Sequence, residues 1–444
     1  MTTREHTAPP TSAAPAPTGP AHDGRCGAAH DGRCGAAHDG RCGAAHDGRC
    51  GSVPVGESGS AHSGQSGLVP VGEAESANGG RSGSVHDRHG GSAGGRLAWA
   101  DVAKGGCIVL VLLWHVIMKD YLQIEWRLAV PVPGAWGAFG ELLLPMRMPL
   151  FFTISGMFAA AAVHRPWRAV ARSRVAKFLY LYALWLLIHT AVLAFAPDFP
   201  TDRASSVGQL LAQLTITPSN LWYLYALALY FVLAKALRRV HPAVLLGAAG
   251  TLAAVAATGL LDTPGNRGGL YQNLVFFLAG LHLRPYVLRW AQAVTGRRLL
   301  LAAAAYGIGS AVLLATDVGR LPGVAVLVST VAVLFGIAGA VRLTRWPVVA
   351  EPLAALGRHT LPIYVIHMPV LALLHLLIAD RVADLDEPAR LALAFGFPFT
   401  LTVAVLALSL GVHRTLLAAR AWWLFDLPAR RRADLPARRE AAST

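Results

Sequence analysis

From residue 96 to about residue 415 the chain alternates long apolar stretches with short polar or basic ones. Each apolar stretch is close to the roughly 20 residues that a helix needs to cross the hydrocarbon core of a bilayer. The pattern predicts ten helical spans, at about 103–121, 142–163, 176–196, 220–237, 242–261, 270–288, 298–315, 321–341, 359–379 and 391–413. Several contain Pro or Gly, which membrane helices tolerate because neighbouring groups re-satisfy the freed backbone. Trp222, Tyr223, Trp290 and Trp422 fall near span ends, where amphipathic rings sit at the headgroup level. The expected fold class is all-α: a polytopic membrane helical bundle of about ten transmembrane helices.

Residues 1–95 carry no apolar run and are rich in Gly, Ala, Ser and Pro. AHDGRCGA recurs with period eight from Ala21, and VPVGE occurs at Val53 and again at Val69. Such a segment cannot bury enough apolar surface to offset its ordering entropy, so a disordered low-complexity tail is expected. Its Cys26, Cys34, Cys42 and Cys50 each follow a His by four residues. That spacing is compatible with metal ligands, but expansion of a repeat under little constraint explains it as well, and we expect no metal site. The division expected is a cytoplasmic tail at 1–95, a transmembrane domain at 96–415 and a basic cytoplasmic tail at 416–444. No signal-peptide core precedes Lys104, so the first span is expected to serve as the insertion signal.

Composition agrees with the pattern: 54% of the residues are hydrophobic and 14% charged, with a mean hydropathy of +0.46. The formal charge of +14 comes from the membrane part, because residues 1–95 hold more acidic than basic groups. The basic residues lie in short loops between spans, which argues against nucleic acid as a partner. The loops after the even-numbered spans are the basic ones, and basic loops mark the cytoplasmic face. Both termini are then expected in the cytoplasm, as an even number of spans requires.

Topology gives depth to the ionisable residues inside the spans, which are functional candidates by default because they are costly there. Lys104 and His115 are eleven residues apart in the first span. On a helix they share a face and are separated by roughly 16 Å along the axis. Lys104 is expected at the cytoplasmic interface and His115 roughly 10 Å below the outer one. Arg147, early in the second span, reaches the same level from the other direction. Asn220, Trp222, Gln272 and Asn273 begin the fourth and sixth spans at similar depths and are candidate substrate-binding groups. Tyr364 and His367, in the ninth span, are placed on the same cavity from its cytoplasmic half. Arg165, Arg168 and Arg172, with Arg174 and Lys177, crowd one short cytoplasmic loop. Topology explains them, and Arg also recognises phosphate in a bidentate fashion. No phosphate-binding loop, metalloprotease helix or nucleophile elbow is present.

At these residues the chain resembles the acyltransferase-3 family of integral membrane acyltransferases. The likeness is carried by Asp101, Lys104, Gly105 and His115 in the first span, and by MPLFF with Ser155 and Gly156 in the second. LWYL at Leu221–Leu224, FFLAG at Phe276–Gly280 and the run from Leu356 to His367 follow in family order. Lys104 stands where Arg is commoner, which keeps the charge and loses the fork. The resemblance implies an acyl-CoA-dependent O-acyltransferase that moves an acyl group, acetyl above all, from cytoplasmic acyl-CoA to a hydroxyl. Acceptors in the family are glycans, lipid-linked sugars and glycosylated metabolites.

On that reading His115 and Arg147 are catalytic: His115 as general base or as nucleophile, and Arg147 as stabiliser of the acyl oxyanion. Lys104, Arg165, Arg168 and Arg172 are the donor-binding candidates. No permanently bound cofactor or metal is expected, acyl-CoA being a substrate; the expected partners are the lipid bilayer, acyl-CoA and a hydroxylic acceptor. The alternative is a transporter or flippase with His115 and Arg147 as a proton relay, although no internal symmetry between halves supports it.

Overall fold

The computed structural model describes residues 97–428, apart from Asp262 and Asp384. The repeats, their cysteines and the part of the basic tail beyond residue 428 lie outside the described residues. Among these residues every regular element is helical and no strand occurs. The long helices are α1 (Ala98–Lys119) and α3 (Leu144–Val163), with α2 (Val132–Leu142) leading into the second. A short α4 (Trp167–Val170) and a π-helical turn at 171–176 run into α5 (Lys177–Leu193), which α6 (Val207–Thr215) follows. Then come α7 (Trp222–Ala236), α8 (Pro242–Ala257), α9 (Arg267–His282) and the short α10 (Arg284–Gln292). The series closes with α11 (Gly296–Ala315), α12 (Val324–Leu343), α13 (Pro347–Arg358), α14 (Thr360–Ala383) and α15 (Glu387–Ala418).

A helix stands at each of the ten expected spans. Among the described residues seven segments are long and apolar enough to cross a membrane, with α7 and α8 as shorter apolar helices. At 15 or 16 residues, α7, α8 and α9 are only about 24 Å long, less than the roughly 30 Å hydrocarbon core. Ten is therefore an approximate count of crossings. Of the further helices, α2, α6 and α13 fall where the hydropathy pattern predicts loops, and α10 straddles the end of the sixth predicted span. Each has 12 residues or fewer, too short to register as a span.

Local chemistry sets the helix ends. Ser206 and Thr295 accept hydrogen bonds from Gln209 N and Arg298 N, capping α6 and α11. Pro242 and Pro347 open α8 and α13 at positions where a missing N–H costs nothing. Gly323 precedes α12 with φ of 87°, a left-handed conformation that glycine adopts without penalty.

Two close helix crossings fix the bundle. A Cβ on Gly105 of α1 would lie 1.9 Å from the carbonyl oxygen of Leu353 on α13, and one on Gly357 of α13 would lie 1.9 Å from that of Asp101 on α1. The α3–α9 crossing repeats the device: a Cβ on Gly156 would lie 2.0 Å from the Phe277 carbonyl oxygen, and one on Gly280 would lie 1.9 Å from that of Thr153. Small residues at such points let helix backbones touch, which is what drives association where no hydrophobic effect separates helix from lipid. α1 also packs against α3, α12, α14 and α15, so it is the central column. Ala100, Leu112, Val116 and Ile117 on it are entirely or almost entirely buried.

Candidate functional site

Two cavities lie along α1, one beyond the other. The first, of about 210 Å³, is walled by Lys104, Ile108 and Val111 of α1, by Ser155 and Phe158 of α3 and by Arg174. The second, of about 540 Å³, takes Val111, His115 and Lys119 of α1 and Leu144, Arg147 and Met148 of α3. Val111, Met148 and Tyr364 wall both. On α1 the order of lining residues is Lys104, Val111, His115; on α3, which runs the other way, it is Arg147, Met148, Phe158. The cavities therefore abut end to end at Val111, Met148 and Tyr364. The rise from Lys104 to His115 is roughly 16 Å at 1.5 Å per residue.

The 540 Å³ cavity gathers Asn220, Trp222, Gln272, Asn273 and Tyr364 with His115 and Arg147. These come from five helices and a loop, and one cavity brings them together. His367 is the exception. It is 2% exposed and stands behind His115, with ring centroids 4.9 Å apart; it does not wall the cavity.

His115 Nδ1 is 2.8 Å from the carbonyl oxygen of Val111. A carbonyl can only accept, so Nδ1 carries the proton and Nε2 presents a lone pair. That is the tautomer a general base needs. Trp114 packs edge-on against the imidazole at 5.0 Å. The Arg147 guanidinium lies over the Trp114 ring, 4.1 Å from its centroid, an arrangement the ring quadrupole favours.

Arg147 is 5% exposed, and its Nε has no hydrogen-bond partner. Among the described residues no carboxylate forms an ion pair with it. A buried cation without a direct ion pair is costly; Glu141 of α2 acts on it from beyond ion-pair distance, and the guanidinium lines the cavity that holds His115. Pro149, two residues on, has no N–H and leaves the Pro145 carbonyl without its helical partner on the cavity wall.

The polar groups opposite are tied into a fixed frame. Tyr364 Oη donates to the Asn220 carbonyl at 2.8 Å and accepts from Tyr223 N at 3.3 Å. The Asn220 amide donates to Thr201. Asn273 Nδ2 donates to the Gly269 carbonyl at 2.8 Å, while its Oδ1 is buried without a partner. Asp202 and Asn266, bonded at 3.0 Å, also reach this cavity. They lie in loops that hydropathy does not distinguish, and the sequence gives no signal for either.

At the other end Lys104 makes an ion pair with Asp101 at 2.7 Å, one turn earlier on α1. Its ammonium sits 5.3 Å from the centre of the Phe158 ring. Arg174 is the loop arginine that walls this cavity, with its guanidinium 5.7 Å from the Phe231 ring centre. Arg165, Arg168 and Arg172 are exposed and wall neither cavity. Arg174 lies half-buried in the π-helical turn at 171–176, while Arg172 of the same turn is exposed. The structure therefore puts Arg174, and not the candidates Arg165, Arg168 and Arg172, on the cavity wall with Lys104.

An all-helical membrane bundle with a cation-lined cavity at one end and an imidazole–guanidinium pair at the other defines a class: integral membrane proteins with a site reached through the bundle. A family model described as an acyltransferase domain matches residues 97–409. The chain belongs to this acyltransferase-3 family. It is similar to the inner membrane protein YcfT of Escherichia coli (strain K12), with 28% identity over 221 residues covering 46% of this chain. The match spans 61% of that relative's length. No solved structure matches the chain.

Proposed function

We propose that the protein is an acyl-CoA-dependent O-acyltransferase, working through the membrane on a hydroxylic acceptor. The observation that carries this reading is Arg147: a buried guanidinium with no direct ion pair among the described residues, on the cavity that also holds the His115 imidazole. That pair suits a reaction in which a hydroxyl loses its proton while a carbonyl oxygen gains negative charge.

The steps follow from the geometry. The donor's phosphates meet Lys104 and Arg174 at the cytoplasmic end, and its pantetheine arm lies in the narrow apolar cavity. The roughly 16 Å from Lys104 to His115 is of the order of that arm, so the thioester arrives near Met148. His115 Nε2 takes the acceptor's hydroxyl proton as the oxygen bonds to the thioester carbon. Arg147 donates to the oxyanion, an interaction that gains strength in a site that excludes water. Collapse breaks the carbon–sulfur bond, and the thiolate recovers the proton from Nε2. The acceptor is held by the amides of Asn220, Gln272 and Asn273, with Trp222 as an apolar platform. Acetyl as the acyl group and a sugar hydroxyl as the acceptor fit the modest volume of the donor cavity, about 210 Å³, and the amide-rich wall of the second.

Deleting the gene and comparing envelope glycans and glycosylated metabolites by mass spectrometry tests the reading. A product lacking one acyl group is expected. An unchanged acylation profile, with a solute accumulating on one side of the membrane instead, would favour transport.

A further inference from the structure

The narrow cavity holds a pair of hydroxyls that the mechanism above does not use. Ser155 of α3 and Tyr223 of α7 both wall it, and their oxygens lie 2.8 Å apart. Ser155 Oγ also lies 2.8 Å from the Phe151 carbonyl, one turn earlier on α3. A carbonyl only accepts, so the Ser155 proton is spent there, and Ser155 Oγ accepts from Tyr223 Oη. The Tyr223 proton is then spent as well. What remains on the pair is acceptor capacity: lone pairs on both oxygens and no proton to give.

The rest of the wall sets where a ligand's groups can go. Lys104, Arg174 and Thr360 stand toward one end. Tyr364 closes the other, with its proton committed to the Asn220 carbonyl at 2.8 Å. Between them the wall is apolar apart from the Ser155–Tyr223 pair. Tyr223 is held in place: its ring packs on Phe151 and Phe152, with centroids 4.9 and 5.0 Å away, and its backbone N–H donates to Tyr364 Oη at 3.3 Å. A ligand that fills this passage meets cations first, then acceptors, then the junction with His115's cavity. One that brings no N–H or O–H to the acceptors strips them of water and leaves them unpaired, which is costly.

We propose, resting on the reading above, that Tyr223 Oη, oriented by Ser155, accepts a hydrogen bond from an amide N–H of the donor's pantetheine arm. That arm has its groups in the matching order: phosphate at one end, two amides along its length and the thioester at the other end. An ester-linked phospholipid also carries a phosphate and a chain, but its chain offers no N–H. The hydroxyl pair therefore selects the acyl donor against the molecules most abundant around it in a bilayer. Tyr223 binds and orients the donor, and no bond to it is made or broken in the transfer.

The test compares CoA with two CoA analogues, each with an ester oxygen in place of one of the two pantetheine N–H groups. Binding of all three is measured by calorimetry on the full-length protein in nanodiscs, without an acceptor. One of the analogues should bind the parent about tenfold more weakly than CoA does, as for a lost hydrogen bond that leaves a buried acceptor unpaired. Tyr223→Phe keeps the ring and removes the oxygen. It should bind CoA about tenfold more weakly than the parent and should hold CoA and that analogue equally, within about twofold. Tyr225→Phe is the control. Its hydroxyl donates to the Thr215 carbonyl and walls neither cavity, so it should discriminate as the parent does.

Equal binding of CoA and both analogues by the parent would overturn the inference and needs no variant. Discrimination that persists undiminished in Tyr223→Phe would overturn it too, because the N–H would then be read elsewhere. Transfer from acetyl-CoA by the parent is scored separately. Transfer without amide discrimination keeps the transferase reading and refutes this inference, whereas amide discrimination lost in Tyr223→Phe, without transfer, does the reverse. A parent protein that binds no CoA refutes both.

Discussion

Gly280→Ala tests whether the two glycine crossings hold the site in register. The added Cβ would sit 1.9 Å from the Thr153 carbonyl oxygen, 2.8 Å from its carbon and 3.0 Å from the Met157 nitrogen. All three are backbone atoms, so no side chain can swing away. Ordinary contact begins near 3.4 Å, so α3 and α9 must part by about 1.5 Å at this point. Overpacking of this kind costs typically about 1–3 kcal/mol, sometimes more. Arg147 lies on the same helix less than two turns before Thr153, and a misplacement of about 1 Å at a reacting centre can cost about 100-fold in rate. Gly250→Ala on α8 is the internal control. Nothing lies within 4 Å of its Cβ position, and replacing a mid-helix glycine there should stabilise by about 0.5–1 kcal/mol. Tryptophan-fluorescence melting of both variants in one detergent gives the comparison. A midpoint lower by several degrees for Gly280→Ala and unchanged or higher for Gly250→Ala is expected, on the order of a few degrees per kcal/mol. Equal midpoints for the two variants would refute the crossing argument.

Three further substitutions probe the site. Arg147→Lys keeps the charge and loses the planar fork, so kcat should fall about 100- to 1,000-fold with little change in KM, as for loss of an oxyanion donor; steady-state kinetics decide it. Lys104→Gln should raise KM for acetyl-CoA while leaving kcat nearly intact, and Lys104→Arg should behave like the parent; a kcat effect as large as that of Arg147→Lys would place Lys104 in the chemistry instead. Met148→Ala widens the junction of the two cavities and should improve transfer from longer acyl-CoAs relative to acetyl-CoA, read as the ratio of kcat/KM values across a donor series.

Much of this was legible in the chain because membrane helices announce themselves by length and apolarity. A helix stands at each predicted span, loop charge suggested a common depth for His115 and Arg147, and both line one cavity. What escaped was whatever depends on local irregularity or on packing partners. α13 is too short and too amphipathic to register as a span, yet it carries Gly357 and so locks α1. Arg174 walls a cavity while Arg165, Arg168 and Arg172, close by in sequence, do not. His367 was expected on the cavity from its place in the ninth span, but a position within a span does not identify the neighbour, which is His115. Trp114 adjoins His115 in sequence and gave no hint that its ring would carry Arg147.

The most direct test of the central claim is the fate of the thioester. The purified full-length protein, reconstituted in liposomes with an acceptor pool from a deletion strain, is supplied with acetyl-CoA labelled in the acetyl group. Label should pass to a hydroxyl of the acceptor with release of free CoA, and His115→Ala should abolish both while inserting and melting normally. Undiminished transfer by His115→Ala, or no loss of thioester with the parent protein, would contradict an acyl transfer centred on His115.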